Sequence, residues 1–216
     1  INFCLLKSKW KFLTNNFLID LSRIFHSQID KLIIAPFFGF AVLGNYYLAI
    51  QILIVLAIAP EIVKKFTIPE DSSGENTTRI KILTVCFSIP LALLGIFVIP
   101  EMVVIFFPDY HDSVNLIPII SIAIIPATIS AMYDSEFFAR EKTFYLVLAN
   151  TLAMAVMIIS IILLGEIFGI LGLAYSLLLS YSVRATILYS FNYLIKKNYN
   201  VKIFDNNSRG SIQKIK

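Results

Sequence analysis

The chain has 216 residues, of which 58% are hydrophobic and only 15% charged, and its mean hydropathy is +0.81. A soluble globular domain is about 45–50% apolar and about 25% charged, so the composition excludes that class and predicts a helical membrane protein. The net charge of +4 does not indicate a nucleic-acid partner, because the basic residues lie mainly in short loops and a tail, as membrane topology requires.

Apolar segments long enough to cross a hydrocarbon core of about 30 Å recur along the chain. We predict six spans, at residues 12–38, 43–67, 80–107, 114–133, 144–164 and 170–194. The predicted fold class is an all-α, polytopic membrane protein with a bundle of six transmembrane helices. Pro60, Pro90, Pro118 and Pro126 lie within three consecutive spans and are expected to kink or interrupt them.

The first predicted span is amphipathic. At about 100° of rotation per residue, its charged side chains and two neutral polar ones share one face, a sector about 100° wide. The members of this polar face are Asn16, Asp20, Arg23, Ser27, Asp30 and Lys31. Charges at membrane depth cost about 2.5–3.5 kcal/mol each on insertion scales and usually mark a substrate pathway. The alternative is an internally paired stripe, Asp20 with Arg23, that only holds the bundle together.

The distribution of Lys and Arg predicts the orientation of the spans. Fifteen of the eighteen basic residues fall on one side of a six-span arrangement, and the three loops of the other side carry none. By the positive-inside rule both ends are cytoplasmic, in a multi-pass protein of the cell membrane. Residues 1–11 are then a cytoplasmic lead-in, residues 12–194 the transmembrane bundle, and residues 195–216 a cytoplasmic tail that we expect to be disordered.

The sixth span carries a second polar stripe. Arg184 lies about nine residues, or about 14 Å, from the inner end of the helix. Ser180 and Ser176 precede it by one and two turns on the same face. We predict that Arg184 and Ser180 line a cavity; the alternative is a structural hydrogen bond from Arg184 to a neighbouring helix. Gln51, one turn into the second span, is a further candidate for the cavity lining.

The sequence offers no basis for an enzyme. It contains no Gly-rich phosphate loop, no HExxH and no GxSxG. Cys4 and Cys86 fall in different segments without a His or Cys neighbour at metal spacing, so we predict no disulfide framework, no metal site and no cofactor.

Three stretches of the chain resemble polysaccharide-biosynthesis flippases. The first is IDKLIIAPFFGFAVLGNYYLAIQILIVLAIAP, which resembles the seventh and eighth spans of that family. The matching residues there are Asp30, Lys31, Leu43, Gly44, Tyr46 and Ala49. The second is EMVVIFFPDYHDSVNLIPIISIAIIP, which resembles the next outer hairpin but has Pro108 where Gly is usual. The third is FGILGLAYSLLLSYS, which resembles the last span through Phe168, Gly169, Gly172 and Ala174.

The resemblance covers residues 10–195 and implies the multidrug/oligosaccharidyl-lipid/polysaccharide exporter superfamily. Members have two six-helix bundles around a central cavity. This chain, which begins with Ile1 and not Met, would then be the second bundle of a longer protein whose N-terminal bundle is its partner. The resemblance also implies that the first span lines the cavity.

The leading hypothesis is a flippase that moves a lipid-linked oligosaccharide or similar precursor across the bilayer by alternating access. Arg23 and Arg184 are the expected contacts to its phosphate, followed by Lys31, because a guanidinium offers paired donors to phosphate oxygens. Asp20 and Asp30 are expected to orient the arginines or to bind a coupling ion. One rival is a cation-coupled exporter of small organic cations from the same superfamily, and another is a non-transporting membrane assembly protein.

Overall fold

The computed structural model describes the backbone of residues 10–213, together with the side chains of Trp10 and of residues 14, 17–18, 20–22, 24–25 and 28–195. Over residues 10–213 the chain forms nine helices and no strand, which confirms the all-α prediction. They are α1 (Trp10–Phe38), α2 (Phe40–Leu56), α3 (Ile58–Ser73), α4 (Thr78–Phe97), α5 (Ile99–Phe106), α6 (His111–Ile122), α7 (Ile124–Ala139), α8 (Thr143–Phe168) and α9 (Ile170–Gln213).

Three of these helical stretches are long and apolar enough to cross a membrane: α4, α8 and residues Ile170–Ile195 of α9. Two further candidates arise if each bent pair is one span, α2 with α3 at 46° and α6 with α7 at 42°. The helix α1 is long enough, but the polar face predicted above lowers its hydropathy. The described helices thus fit a multi-pass membrane protein with up to five spans by this measure, and the six-span count stays a prediction.

Each of the two bends is followed by a proline at the same distance along the chain. The helix α2 ends at Leu56, four residues before Pro60, and α6 ends at Ile122, four residues before Pro126. Proline has no N–H to donate to the carbonyl four residues earlier, and its ring collides with that carbonyl, so the helix breaks there. By contrast, α4 continues through Pro90, where the sequence predicts a kink.

The helix α9 lies at the centre of the packing. It contacts α8 along the hairpin between them, and it also packs on α6 and α7. On one side of this group α1 packs against α8 and α2, and on the other side α4 packs against α6 and α7. The buried apolar core includes Ile34 of α1, Tyr46 of α2, Leu116 of α6, Ile161 of α8 and Leu173 of α9.

A glycine permits the close approach of α8 and α9. A Cβ atom at Gly172 would overlap the backbone carbonyl of Leu164, which cannot move aside as a flexible side chain can. The turn before it contains Gly169 at a φ of 59°, in the left-handed region that favours glycine. The hairpin therefore depends on glycine at both positions.

The ends of the chain differ in how far they are described. Residues 1–9 of the predicted lead-in lie outside the described residues. At the other end the backbone of α9 continues as helix to Gln213, through most of the segment 195–216 for which the sequence predicts a disordered tail.

Candidate functional site

A partly open cavity of about 310 Å³ lies between six helices of the bundle. Its wall is apolar on the side of α2 and polar where α1, α3, α7, α8 and α9 face one another. The polar and charged residues that line it are Gln28, Asp30, Lys31, Glu61, Lys64, Asp134, Asn150, Tyr181 and Arg184. The cavity therefore concentrates ionisable groups from helices that otherwise pack through apolar side chains.

Arg184 of α9 is held by side chains of two other helices. Its Nη2 donates to both carboxylate oxygens of Asp134, at 2.8 Å and 3.1 Å, and its Nε donates to Asn150 Oδ1 at 2.7 Å. Asp134 of α7 is only 3% exposed. A buried charge is tolerated when it is paired and hydrogen-bonded, and these contacts satisfy that condition for both partners. The Nη1 group of Arg184 takes no part in these three hydrogen bonds.

Asn150 extends this contact to the first helix. Its Nδ2 donates to the hydroxyl of Ser22 on α1 at 3.1 Å, while its Oδ1 accepts from Arg184. One amide side chain thereby uses its donor and its acceptor at once, and it joins α1 to α9 through α8. The arrangement fixes the orientation of Arg184 relative to the helix that carries Asp30 and Lys31.

Asp30 is the most deeply buried charged residue of α1 among those described, with 2% of its surface exposed. Its Oδ1 accepts a hydrogen bond from the backbone N–H of Lys31 at 2.8 Å. Tyr181 on α9 lines the same cavity, and Tyr46 on α2 is fully buried in the core. Asp30 thus brings a carboxylate to the cavity from the first helix.

Lys31 lies beside Asp30 but its ammonium turns toward other groups. Its Nζ donates to Gln28 Oε1 at 2.9 Å and lies 5.1 Å from the centre of the Tyr47 ring. A cation over an aromatic face is attracted by the ring quadrupole, so the position stabilises the charge of Lys31.

The helix α3 contributes a further ion pair, between Glu61 and Lys64 one turn apart. Lys64 is 7% exposed and lines the cavity, although the sequence assigns it to the cytoplasmic ends of the spans. The charges in the lining are balanced: the carboxylates are Asp30, Glu61 and Asp134, and the cations are Lys31, Lys64 and Arg184. The sequence places two carboxylates against three cations inside the spans, which are Asp20, Asp30, Arg23, Lys31 and Arg184. This lining is therefore slightly less basic than that set.

The predicted site residues fall into three groups. Asp30, Lys31 and Arg184 line the cavity. Gln51 is half-buried outside the lining, and Ser180 donates to the backbone carbonyl of Ala153 at 2.9 Å. Asp20 is exposed on α1, also outside the lining. The side chains of Asn16, Arg23 and Ser27 lie outside the described residues, so the expected meeting of Arg23 with Arg184 stays a prediction.

Sequence reasoning missed the two residues that hold Arg184. Asp134 directly follows the predicted fourth span, and Asn150 lies in the fifth predicted span, whose residues are mostly apolar. A helical stripe could have revealed each: Ala127, Ala131 and Asp134 recur at helical spacing, as do Asn150, Ala153 and Met157. Small residues on one face allow helices to approach closely, so a polar residue in such a stripe meets a neighbouring helix.

A second charged group, which we call the ionic clasp, joins the ends of α3, α4 and α7. It consists of Asp71, Lys81, Glu136 and Arg140. Lys81 Nζ lies 2.6 Å from Asp71 Oδ2 and 3.5 Å from Glu136 Oε1, and Arg140 Nη2 lies 3.5 Å from Glu136 Oε2. The clasp holds the C-terminal end of α3 against α7, beyond the cavity.

Asn192 ties α9 to the clasp by donating to Glu136 at 3.0 Å, and Ser135 donates to Asp71 at 3.0 Å. In the part of the chain that the structure describes, no group of three or more His, Cys, Asp or Glu residues could hold a metal ion.

No protein-family model, no curated protein and no solved structure matches the chain.

Proposed function

We propose that the chain is the second six-helix bundle of a flippase that moves a lipid-linked oligosaccharide or polysaccharide precursor across the cell membrane. In this proposal α1 and the two bent pairs each cross the bilayer, which gives six spans with α4, α8 and α9. Both ends of the chain then lie in the cytoplasm, and an N-terminal bundle of the same protein completes the central cavity.

The observation that carries the proposal is the charged cavity. Six ionisable side chains face a space of about 310 Å³ inside a bundle whose exterior is apolar. Ionisable groups at membrane depth are costly and mark the route of a polar substrate or ion. A lipid-linked glycan has a phosphate and a sugar that cannot cross hydrocarbon unaided, and such a cavity offers both cations and hydrogen-bond partners.

The contacts of each cation indicate how a phosphate would be bound. Arg184 is anchored by Asp134 and Asn150, so its Nη1 group would meet the phosphate from a fixed position. Lys64 and Lys31 would add point charges to the phosphate, without the paired donors of a guanidinium. Asp30, deeply buried and in the cavity lining, would bind the coupling ion, and the two bundles would rock about this site.

Lys64 offers a direct test, because the neighbouring Lys65 is an exposed residue of the same charge outside the cavity lining. In the intact protein reconstituted into vesicles, we expect Lys64→Gln to slow translocation of a fluorescent polyprenyl-phosphate-linked sugar several-fold. Lys65→Gln should translocate it at the wild-type rate. Equal rates for wild type and both variants would contradict the flippase proposal.

A cation-coupled exporter of small organic cations is the second candidate. The equal number of carboxylates and cations in the lining favours it more than the sequence does. In an exporter, the efflux of an organic cation would depend on Asp30 and not on Lys64. Efflux of a fluorescent cation from cells carrying Asp30→Asn or Lys64→Gln therefore distinguishes the two functions.

A further inference from the structure

A second concave surface, which we call the lateral trough, lies on the outside of the bundle. The helices α4 and α9 both pack on α7, and the trough between them has a volume of about 590 Å³. Each helix contributes one stripe of side chains at helical spacing. The lining residues that matter here are Thr78, Lys81, Val85 and Cys86 of α4, Met132 and Glu136 of α7, and Ala185, Thr186 and Asn192 of α9.

Polarity changes along the trough from one end to the other. The end where α4 begins and α7 nears its C terminus carries Thr78, Lys81, Glu136 and Asn192, which include two members of the ionic clasp. The walls further along α4, α7 and α9 are mainly apolar, with Val85, Cys86, Met132 and Ala185. An occupant that fits both regions has a polar head and a hydrocarbon chain.

The trough opens toward the surface that a bilayer would cover. Its sides are two of the three helices long and apolar enough to cross a membrane. Its rim residues are exposed, with Ile82 at 60% and Tyr189 at 57%, and Cys86 is exposed within it. In a bilayer, lipid would therefore lie against the trough.

We propose that the lateral trough binds phosphatidylethanolamine, with one acyl chain along its apolar walls and the headgroup at the ionic clasp. The clasp holds Asp71 and Glu136 against Lys81 and Arg140, so its formal charge is balanced. A balanced site favours a zwitterionic headgroup over an anionic one. Each carboxylate oxygen of Glu136 can accept more than one hydrogen bond, and an ammonium donates such bonds whereas a choline headgroup has no N–H.

The apolar walls of the trough suit a hydrocarbon chain, and its polar end suits a headgroup. This inference does not require that the protein be a flippase or an exporter.

The first test compares lipid retention. The intact protein is reconstituted in vesicles of equal anionic lipid content whose remaining lipid is phosphatidylethanolamine or phosphatidylcholine, then released in the mass spectrometer. We expect a phosphatidylethanolamine adduct that persists at collision energies at which phosphatidylcholine is lost. Thr186→Trp, which fills the trough from α9, should lower that adduct several-fold.

The matched control is Thr151→Trp. Thr151 is an exposed threonine of α8 that bonds to the carbonyl four residues earlier, as Thr186 does, but it lies outside the trough. It should leave the adduct at the wild-type level. Retention of an anionic lipid instead, equal retention of the two zwitterionic lipids, or a dimer that covers the trough would overturn the proposal.

A second measurement needs no variant of the trough itself. Cys86 is a reporter in a Cys4→Ala background, because a bilayer-soluble maleimide reaches its thiol through the trough. We expect Cys86 to react several-fold more slowly in phosphatidylethanolamine vesicles than in phosphatidylcholine vesicles. Equal rates in the two vesicles would overturn the proposal even if Thr186→Trp fails to fold.

Discussion

Arg184 is held in place by three hydrogen bonds that it donates to two side chains, and each of those side chains belongs to a different helix. A buried ion pair of this kind is weak evidence for net stability, because desolvation offsets most of the attraction. Removing one partner alone has a larger effect, since the other charge is then left buried without compensation. The pair therefore fixes the positions of α7, α8 and α9 more than it stabilises the fold.

A double-mutant cycle on Arg184 and Asp134 tests this account. Arg184→Met and Asp134→Leu should each destabilise the protein by about 3–5 kcal/mol, because each leaves a buried charge unpaired. The double variant should lose clearly less than the sum of the two, because no unpaired charge remains. Unfolding midpoints in detergent give the three values, and strictly additive losses would show that the two side chains do not depend on each other.

Some of the charged residues in the cavity lining could be predicted from the sequence, and others could not. Arg184, Asp30 and Lys31 were identifiable because a charge inside an apolar segment is conspicuous. Lys64 and Asp134 were not, because each lies near a span end, where a charged residue normally reaches water. Whether such a residue turns inward depends on the bends of α2–α3 and α6–α7, and a bend is a property of the tertiary packing as well as of the local sequence.

Two of the predicted spans are bent pairs of helices, and both bends occur three residues before a proline. Ala57 and Ala123 are the break residues, and Pro60 and Pro126 follow them. The bends turn Glu61, Lys64, Ala127 and Asp134 toward the cavity. The sequence predicts irregularity at all four prolines of these spans but does not distinguish Pro60 and Pro126 from Pro90, through which α4 continues.

Pro60→Ala should straighten the α2–α3 pair. Alanine restores the N–H that Pro60 lacks and removes the ring that collides with the preceding turn. At 1.5 Å per residue, closing a bend of 46° would lengthen the distance between labels at Phe40 and Ser72 by about 4 Å. Double electron–electron resonance between nitroxides at these exposed positions measures the change.

The control for this substitution is Pro69→Ala in the same helix. Pro69 lies inside α3 without a break, so its replacement should leave the distance from Phe40 to Ser72 unchanged. An unchanged distance in Pro60→Ala would mean that packing of α3 on α7, and not the proline, imposes the bend.

At the scale of the whole molecule, ion pairs are concentrated in two places. The cavity and the ionic clasp each balance their acidic and basic groups, and they occupy successive levels of α3, α7 and α9. Lys64 and Lys81 are among the basic residues that predict the orientation of the spans, yet both are buried in ion pairs. The predicted orientation therefore depends on the other basic residues outside the spans.

Access of water to the cavity distinguishes a transporter from an assembly protein. A transporter requires that water and substrate reach the cavity in at least one state, whereas a scaffold would keep its polar groups dry and packed against one another. Ala127 is half-buried and lines the cavity, so a thiol at this position reports on the solvent there. Ala149 is fully buried in the apolar cluster between α7, α8 and α9 and serves as the matched control.

We expect Ala127→Cys, in a Cys4→Ala and Cys86→Ala background of the intact protein, to react with a membrane-impermeant maleimide added to one side of the vesicles. Ala149→Cys should stay unmodified, because no water reaches it. Under the flippase proposal a lipid-linked sugar added to the vesicles should slow the modification of Ala127→Cys several-fold, since headgroup and reagent compete for one space. If Ala127→Cys is as unreactive as Ala149→Cys from both sides, the cavity is closed to water and the assembly hypothesis replaces transport.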